Sequence, residues 1–319
     1  MSQIGSVVFS GFSVSYYALL AVLLYLCTAA ALPFVFRRHG IRAGRAVLFA
    51  VFAALLGLLL GRSVYCAVHT DLFLDPFGDP LGIAPFFDLS MGSLSIIGVL
   101  AGVLLATLPA SARSGVTASH MLDAAVVPGL MFFAAMRFIE PLSGQGYGSL
   151  TELRFFCTVP FGIQNGWGGW SVSVCFLEGV LLLALAFFLI RPKWNRSGSR
   201  TLCALVLLAA CQIMPESLRR DSALRIFIFA RVTQVGYAVL LFVCACIAWR
   251  RAAVRGISAR TAAAEIAAVI FGILLLIGCE YALDKTEWSH ILIYGIMILI
   301  LSLLALLIIR RIRAEDRTC

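Results

Sequence analysis

The sequence predicts an all-α, polytopic integral membrane bundle of about nine transmembrane helices, with the N-terminus outside and the C-terminus cytoplasmic. Three observations predict it. The 319 residues are 61% hydrophobic and only 13% charged, with a mean hydropathy of +0.99, far outside the range of a soluble domain. Apolar runs recur at lengths suited to a hydrocarbon core of about 30 Å, which takes around 20 helical residues to cross. Basic and acidic loops then alternate between those runs, as the cytoplasmic retention of Lys and Arg requires.

The runs cover 12–36, 45–69, 94–112, 121–140, 171–190, 201–214, 232–249, 261–283 and 288–309, the sixth being short. The first begins without a basic n-region and runs on to Arg37-Arg38, the pattern of a retained helix and not of a cleaved signal peptide. Four loops are basic and assigned to the cytoplasm. They hold Arg37, Arg38, Arg42 and Arg45; Arg191, Lys193, Arg196 and Arg200; Arg250, Arg251, Arg255 and Arg260; and Arg310, Arg311, Arg313 and Arg317. The opposite loops hold Asp71, Asp75, Asp79 and Asp88 after the second run, and Asp284, Lys285 and Glu287 after the eighth. One loop breaks the rule. Pro215-Glu216-Ser217-Leu218-Arg219-Arg220-Asp221, with Arg225 and Arg231 beyond it, is exterior by count yet rich in arginine. Either the sixth span is wrong, or those arginines are kept for function.

The net charge of +9 follows from loops facing an anionic leaflet and does not point to nucleic acid. Ten cysteines form no C-x-x-C pair, and most lie in apolar runs, where a free thiol packs as a small hydrophobe. No metal or cofactor motif emerges. The segment 141–170 carries Ser143-Gly144-Gln145-Gly146-Tyr147-Gly148 and Asn165-Gly166-Trp167-Gly168-Gly169-Trp170, the composition of a small exterior cap at headgroup level.

Ionisable residues inside a bilayer cost roughly 2.5–3.5 kcal/mol each on insertion scales, so each is a functional candidate. Arg62 sits in Gly61-Arg62-Ser63-Val64-Tyr65, with Tyr65 one helical turn away on the same face. Arg137 ends the fourth run with Glu140 three residues on, the spacing of an ion pair along a helix. Glu178 has no charge near it in sequence and therefore requires a partner on another helix, for which arginine is suited. Asp123 opens the fourth run. Snorkelling to headgroups is the bland reading of any one of these arginines, and a purely structural charge network is the rival for all of them together.

In their order, these residues resemble the bacterial prolipoprotein diacylglyceryl transferase family over about 12–250, with no counterpart for the last two spans. Tyr16-Tyr17-Ala18-Leu19 looks like the family's aromatic-Tyr-Gly-Leu, and Gly61 to Tyr65 like its Gly-Arg-x-Gly-Tyr. Asp123 and Arg137 keep the family spacing, and Gly144-Gln145-x-x-Gly148 keeps the register of Gly-Glu-x-x-Gly. Leu177-Glu178-Gly179, Glu216-x-x-Arg219 and Gln234 follow in turn. The departures are Glu140 and Ser143 in place of asparagines, Ile97-Gly98 in place of a His-Gly, and Gly168-Gly169 where a second histidine falls. His69 and Asp88 are conceivable substitutes for the missing base; an interfacial histidine and a solvated loop acid are the plain readings of each.

The resemblance implies a seven-helix domain over 1–250 and a two-helix extension over 251–319, in a bacterial cytoplasmic (inner) membrane. It implies transfer of the diacylglyceryl group of phosphatidylglycerol to the lipobox cysteine thiol of an exported prolipoprotein, with glycerol phosphate leaving. The catalytic roles go to Arg137 and Arg219, and the substrate-binding ones to Tyr17, Arg62, Tyr65, Glu140, Gly144, Glu178, Glu216 and Gln234. Its partners are then the phospholipid and the prolipoprotein segment, with no nucleic acid. Guanidinium suits a departing phosphate because it stays protonated and donates in a bidentate fork. Without a base, a thiol still supplies a few per cent thiolate near neutral pH, so loss of the histidines predicts slowness. The alternative is an inactive descendant that binds phospholipid or lipoprotein as a membrane scaffold.

Overall fold

A computed structural model describes every residue except 1–5, 10–11, 75–80, 88–93, 113, 165–167, 193, 221–224, 227–229, 255, 257 and 318–319, and gives the backbone alone for 6–9, 12–14, 225–226 and 230. Asp75, Asp79, Asp88, Lys193, Asp221 and Arg255 thus lie outside the described residues, as does the middle of the glycine-tryptophan run.

Each of the nine apolar runs contains a helix, and a tenth helix of a single turn lies in the connection before the third run. In order they are α1 (Tyr16–Arg38), α2 (Ala43–Val68), the single turn α3 (Ala84–Phe87), α4 (Ile96–Ser111), α5 (Ala118–Ile139), α6 (Val174–Ile190), α7 (Ser199–Leu218), α8 (Val232–Ala253), α9 (Ala259–Lys285) and α10 (His290–Arg317). Helix is the state that satisfies every backbone N–H and C=O within its own segment, which a hydrocarbon environment demands. Seven of the ten are long and apolar enough to cross a bilayer; α4 and α6 are apolar but shorter. The chain is a multi-pass membrane protein. Two boundaries differ from expectation. Residues 12–15 form strand β2, paired antiparallel with β1 (Ser6–Phe9), so the first helix starts at Tyr16. The short sixth run is a full 20-residue helix, because Ser199 and Arg200 precede it and Pro215 to Leu218 continue it beyond the apolar stretch.

The residues divide into two compact units. In the first, 29–125, α2 and α4 pack through small-xxx-small spacings on both helices, Gly57 with Gly61 and Gly98 with Gly102. A Cβ at Gly98 would lie 2.3 Å from the Leu60 carbonyl oxygen, and one at Gly102 would lie 2.4 Å from that of Leu56. Side chains at either position would push the two backbones apart. Phe36, Phe49, Ala46, Ala106, Ala110 and Met121 fill the core beneath this contact.

The second unit, 1–28 with 126–319, holds the larger bundle. Between α5 and α6 runs a three-stranded antiparallel sheet in the order β3 (Tyr147–Leu150), β5 (Trp170–Ser173), β4 (Gly162–Gln164). A two-residue ladder, β6 (Arg225–Ile226) with β7 (Ala230–Arg231), precedes α8. Helices α9 and α10 are fastened to this unit by polar contacts. Near one end, Arg311 donates to Glu265, which also accepts from the Trp249 indole, while Arg196 donates to Glu315 at 2.9 Å. Asp316 accepts the backbone N–H groups of Asn195 and Arg196 at 3.0 and 2.8 Å. Near the opposite end, Glu280 accepts from Gln234 at 2.7 Å and from Ser217 at 3.2 Å.

Candidate functional site

The charged residues of the larger unit meet where α5, α6 and α7 bring their ends together. Arg137 occupies the last turn of α5, and the helix gives way after Ile139 to a 3-10 turn, Glu140–Ser143, that closes on Gly144 with φ of 76°. That turn folds Glu140 back beside its neighbour: Arg137 Nη1 donates to Glu140 Oε2 at 2.7 Å. The ion pair anticipated from the i,i+3 spacing is therefore formed. Gly146 follows with φ of 87°, and a Cβ there would stand 2.7 Å from the Cβ of Cys175, so only glycine lets this turn lie against the start of α6.

Glu178, one turn into α6, is completely buried, and the partner it required proves to be two arginines. Its Oε2 lies 2.9 Å from Arg137 Nε and 3.1 Å from Arg219 Nη1; only the second contact is aligned as a hydrogen bond. Arg219 caps the end of α7, where the chain turns extended, and its Nη2 donates to Glu140 Oε1. Glu140 and Glu178 thus each bridge the same two guanidiniums. Glu216, a turn before Arg219, directs its carboxylate to Arg137 Nη2 at 3.9 Å and accepts from Thr233 at 3.0 Å. Arg137, Arg219 and all three acids are buried.

A further layer fixes the end of α7. The Arg231 guanidinium donates to the Glu216 carbonyl. Gln234 accepts the Arg231 backbone N–H at 3.0 Å, donates to the Ile213 carbonyl at 3.2 Å and reaches Glu280. The arginine-rich loop that broke the charge rule is accounted for in part: Arg219 and Arg231 are buried and paired, while Arg220 is exposed. Tyr17 at the start of α1 is within electrostatic reach of Glu140, Arg137 and Arg219.

Two residues missed in the sequence belong here. Gln212 on α7 accepts from Arg137 Nη2 at 3.4 Å, and Tyr237 lies buried one turn after Gln234 within electrostatic reach of Arg137 and Glu216. A glutamine inside a span was the available signal for the first; the i,i+3 relation to Gln234 was the signal for the second. Gln212 Nε2, Tyr237 Oη and Glu178 Oε1 are buried with no hydrogen-bond partner among the described residues. Such atoms are rare in folded proteins because each forfeits its hydration.

Arg62 and Tyr65 belong to the other unit. Arg62 donates from Nε to the Phe86 carbonyl at 2.9 Å and from Nη2 to the Pro85 carbonyl at 2.5 Å, and lies over the Tyr65 ring at 5.4 Å. Tyr65 stacks on His69 with ring centroids 4.0 Å apart, and His69 Nδ1 is 3.0 Å from the Tyr65 carbonyl oxygen. The histidine considered as a substitute base is thus packed against its own helix, and Asp88, the other substitute, lies outside the described residues. Asp123 is buried in the first half of α5.

A family model described as prolipoprotein diacylglyceryl transferase matches residues 6–250. No curated protein matches the chain.

Proposed function

Because the chain belongs to the prolipoprotein diacylglyceryl transferase family, we propose that it transfers the diacylglyceryl group of phosphatidylglycerol to the lipobox cysteine thiol of an exported prolipoprotein. The observation that carries this reading is the convergence of Arg137 and Arg219, 82 positions apart in sequence, on the same two carboxylates, Glu140 and Glu178. Two guanidinium forks held this way are positioned before charge develops on a departing phosphate. In the step itself the thiol sulfur forms a bond to the glycerol carbon, the bond from that carbon to the phosphate oxygen breaks, and glycerol phosphate leaves as an anion. The thiol proton goes to solvent. Gln212 Nε2 and Tyr237 Oη supply donors, and Glu178 Oε1 an acceptor, for the polar atoms of the lipid headgroup. The cytoplasmic membrane of a bacterium, with the arginine cluster toward the outer leaflet, is the setting this chemistry requires.

A specific observation favours a second reading. Both guanidiniums are already engaged by carboxylates, the arrangement of a closed structural network in a membrane scaffold that binds lipid without turnover. Purified protein incubated with phosphatidylglycerol and a lipobox peptide separates the two. Transfer predicts a peptide mass increase of one diacylglyceryl group with stoichiometric release of glycerol phosphate, both abolished in Arg219→Ala. Lipid binding without any peptide modification would overturn the transferase reading and leave the scaffold.

A further inference from the structure

Helices α8 and α9, with Ile213 of α7, line an open-sided slot of about 310 Å³. One wall is formed by Val235, Ala238 and Phe242 and the other by Ile270, Ile273 and Ile277, each set spaced i, i+3, i+7 along one face of its helix. Gln234 and Glu280 also line it, joined by their 2.7 Å hydrogen bond. One wall comes from α9, which lies beyond the matched region 6–250, so the slot is a feature of this chain's extension.

We propose that this slot binds one acyl chain of a diacyl phospholipid, with the glycerol end of the lipid at Gln234 and Glu280. Two observations point to that occupant. Both walls belong to helices long and apolar enough to span a membrane, where the medium that fills an apolar depression is hydrocarbon. The polar residues of the slot are continuous with the arginine cluster, since Glu280 accepts from Ser217 at 3.2 Å, the residue after Glu216, and Glu216 faces Arg137. A lipid whose phosphate is held by the arginines is thereby offered a place for one of its tails.

The proposal rests on the reading that the arginine cluster receives a phospholipid headgroup, yet its test needs no turnover. Full-length protein in phosphatidylcholine vesicles is supplied with phosphatidylglycerol bearing a diazirine midway along one acyl chain, irradiated and mapped by peptide mass spectrometry. We expect labelling of 235–242 and 270–277 to exceed that of the exposed α10 residues Leu299, Leu303 and Leu306 by about tenfold, equivalent to about 1.4 kcal/mol of preference. Excess unlabelled phosphatidylglycerol should compete it away, and Ala238→Trp and Ile273→Trp, which fill the slot from opposite walls, should each abolish it. Should one variant fail to fold, the other carries the test. Labelling equal to that of α10, or insensitive to competitor or to a folded tryptophan variant, would identify ordinary annular lipid and overturn the proposal. Specific labelling in a protein that transfers nothing to a lipobox peptide would overturn the transferase reading and keep the slot.

Discussion

Arg62 and the pair Arg137 and Arg219 are all buried arginines in or at the ends of apolar helices, and they are used differently. Arg62 donates to the main-chain carbonyls of Pro85 and Phe86 and so ties a connecting segment to α2. Arg137 and Arg219 are gripped by side-chain carboxylates from three different elements, Glu140, Glu178 and Glu216. The first is a local staple. The second is a many-helix junction in which each charge depends on the others, and removing one member leaves a buried ion uncompensated. Only the second arrangement joins distant chain segments and leaves buried polar atoms over, on Gln212, Tyr237 and Glu178.

Substitutions sharpen this contrast in descending order of effect. Glu178→Ala, which strips one of the two acids shared by both guanidiniums, should cost about 3–5 kcal/mol of stability; a thermal melt in detergent that matches wild type would show the junction to be unimportant to the fold. Arg137→Ala should lower kcat/KM in the lipobox transfer assay by about 10²–10³, the loss typical of one preorganised donor. Unchanged kinetics in a folded Arg137→Ala protein would remove it from the chemistry. Arg62→Ala should cost about 1.5–3 kcal/mol for each lost bond to a carbonyl, read as faster amide exchange across 81–87, with kcat unaltered; a fall in kcat without faster exchange would contradict the staple. The gentlest is Tyr237→Phe, which removes a partnerless hydroxyl. It should leave the melting temperature unchanged or higher while lowering kcat/KM about tenfold. Reduced stability with normal kinetics would mean that the hydroxyl serves the fold alone.

Much of the helical framework was legible because run length and composition dictate it. The pairing of Arg137 with Glu140 was legible from spacing, and the need of Glu178 for an arginine on another helix followed from the cost of an isolated buried charge. What escaped the sequence depends on which way a helix faces. The end of α7 was cut short at 214 because Glu216 and Ser217 depress hydropathy, although the site itself satisfies their side chains. Arg62 gives two donors to backbone carbonyls that no pattern in the chain announces. From the sequence Glu280 could be a pairing residue or nothing, until Gln234 is found beside it, 46 positions earlier.

The claim on which the rest depends is that Arg137 and Arg219 act on one anionic headgroup as a unit. A double-mutant cycle on kcat/KM for diacylglyceryl transfer, with Arg137→Ala, Arg219→Ala and the double variant, tests it most directly. If the two forks grip the same group, the double variant will be scarcely slower than the worse single variant. Losses that multiply independently, or single variants as active as wild type, would contradict it.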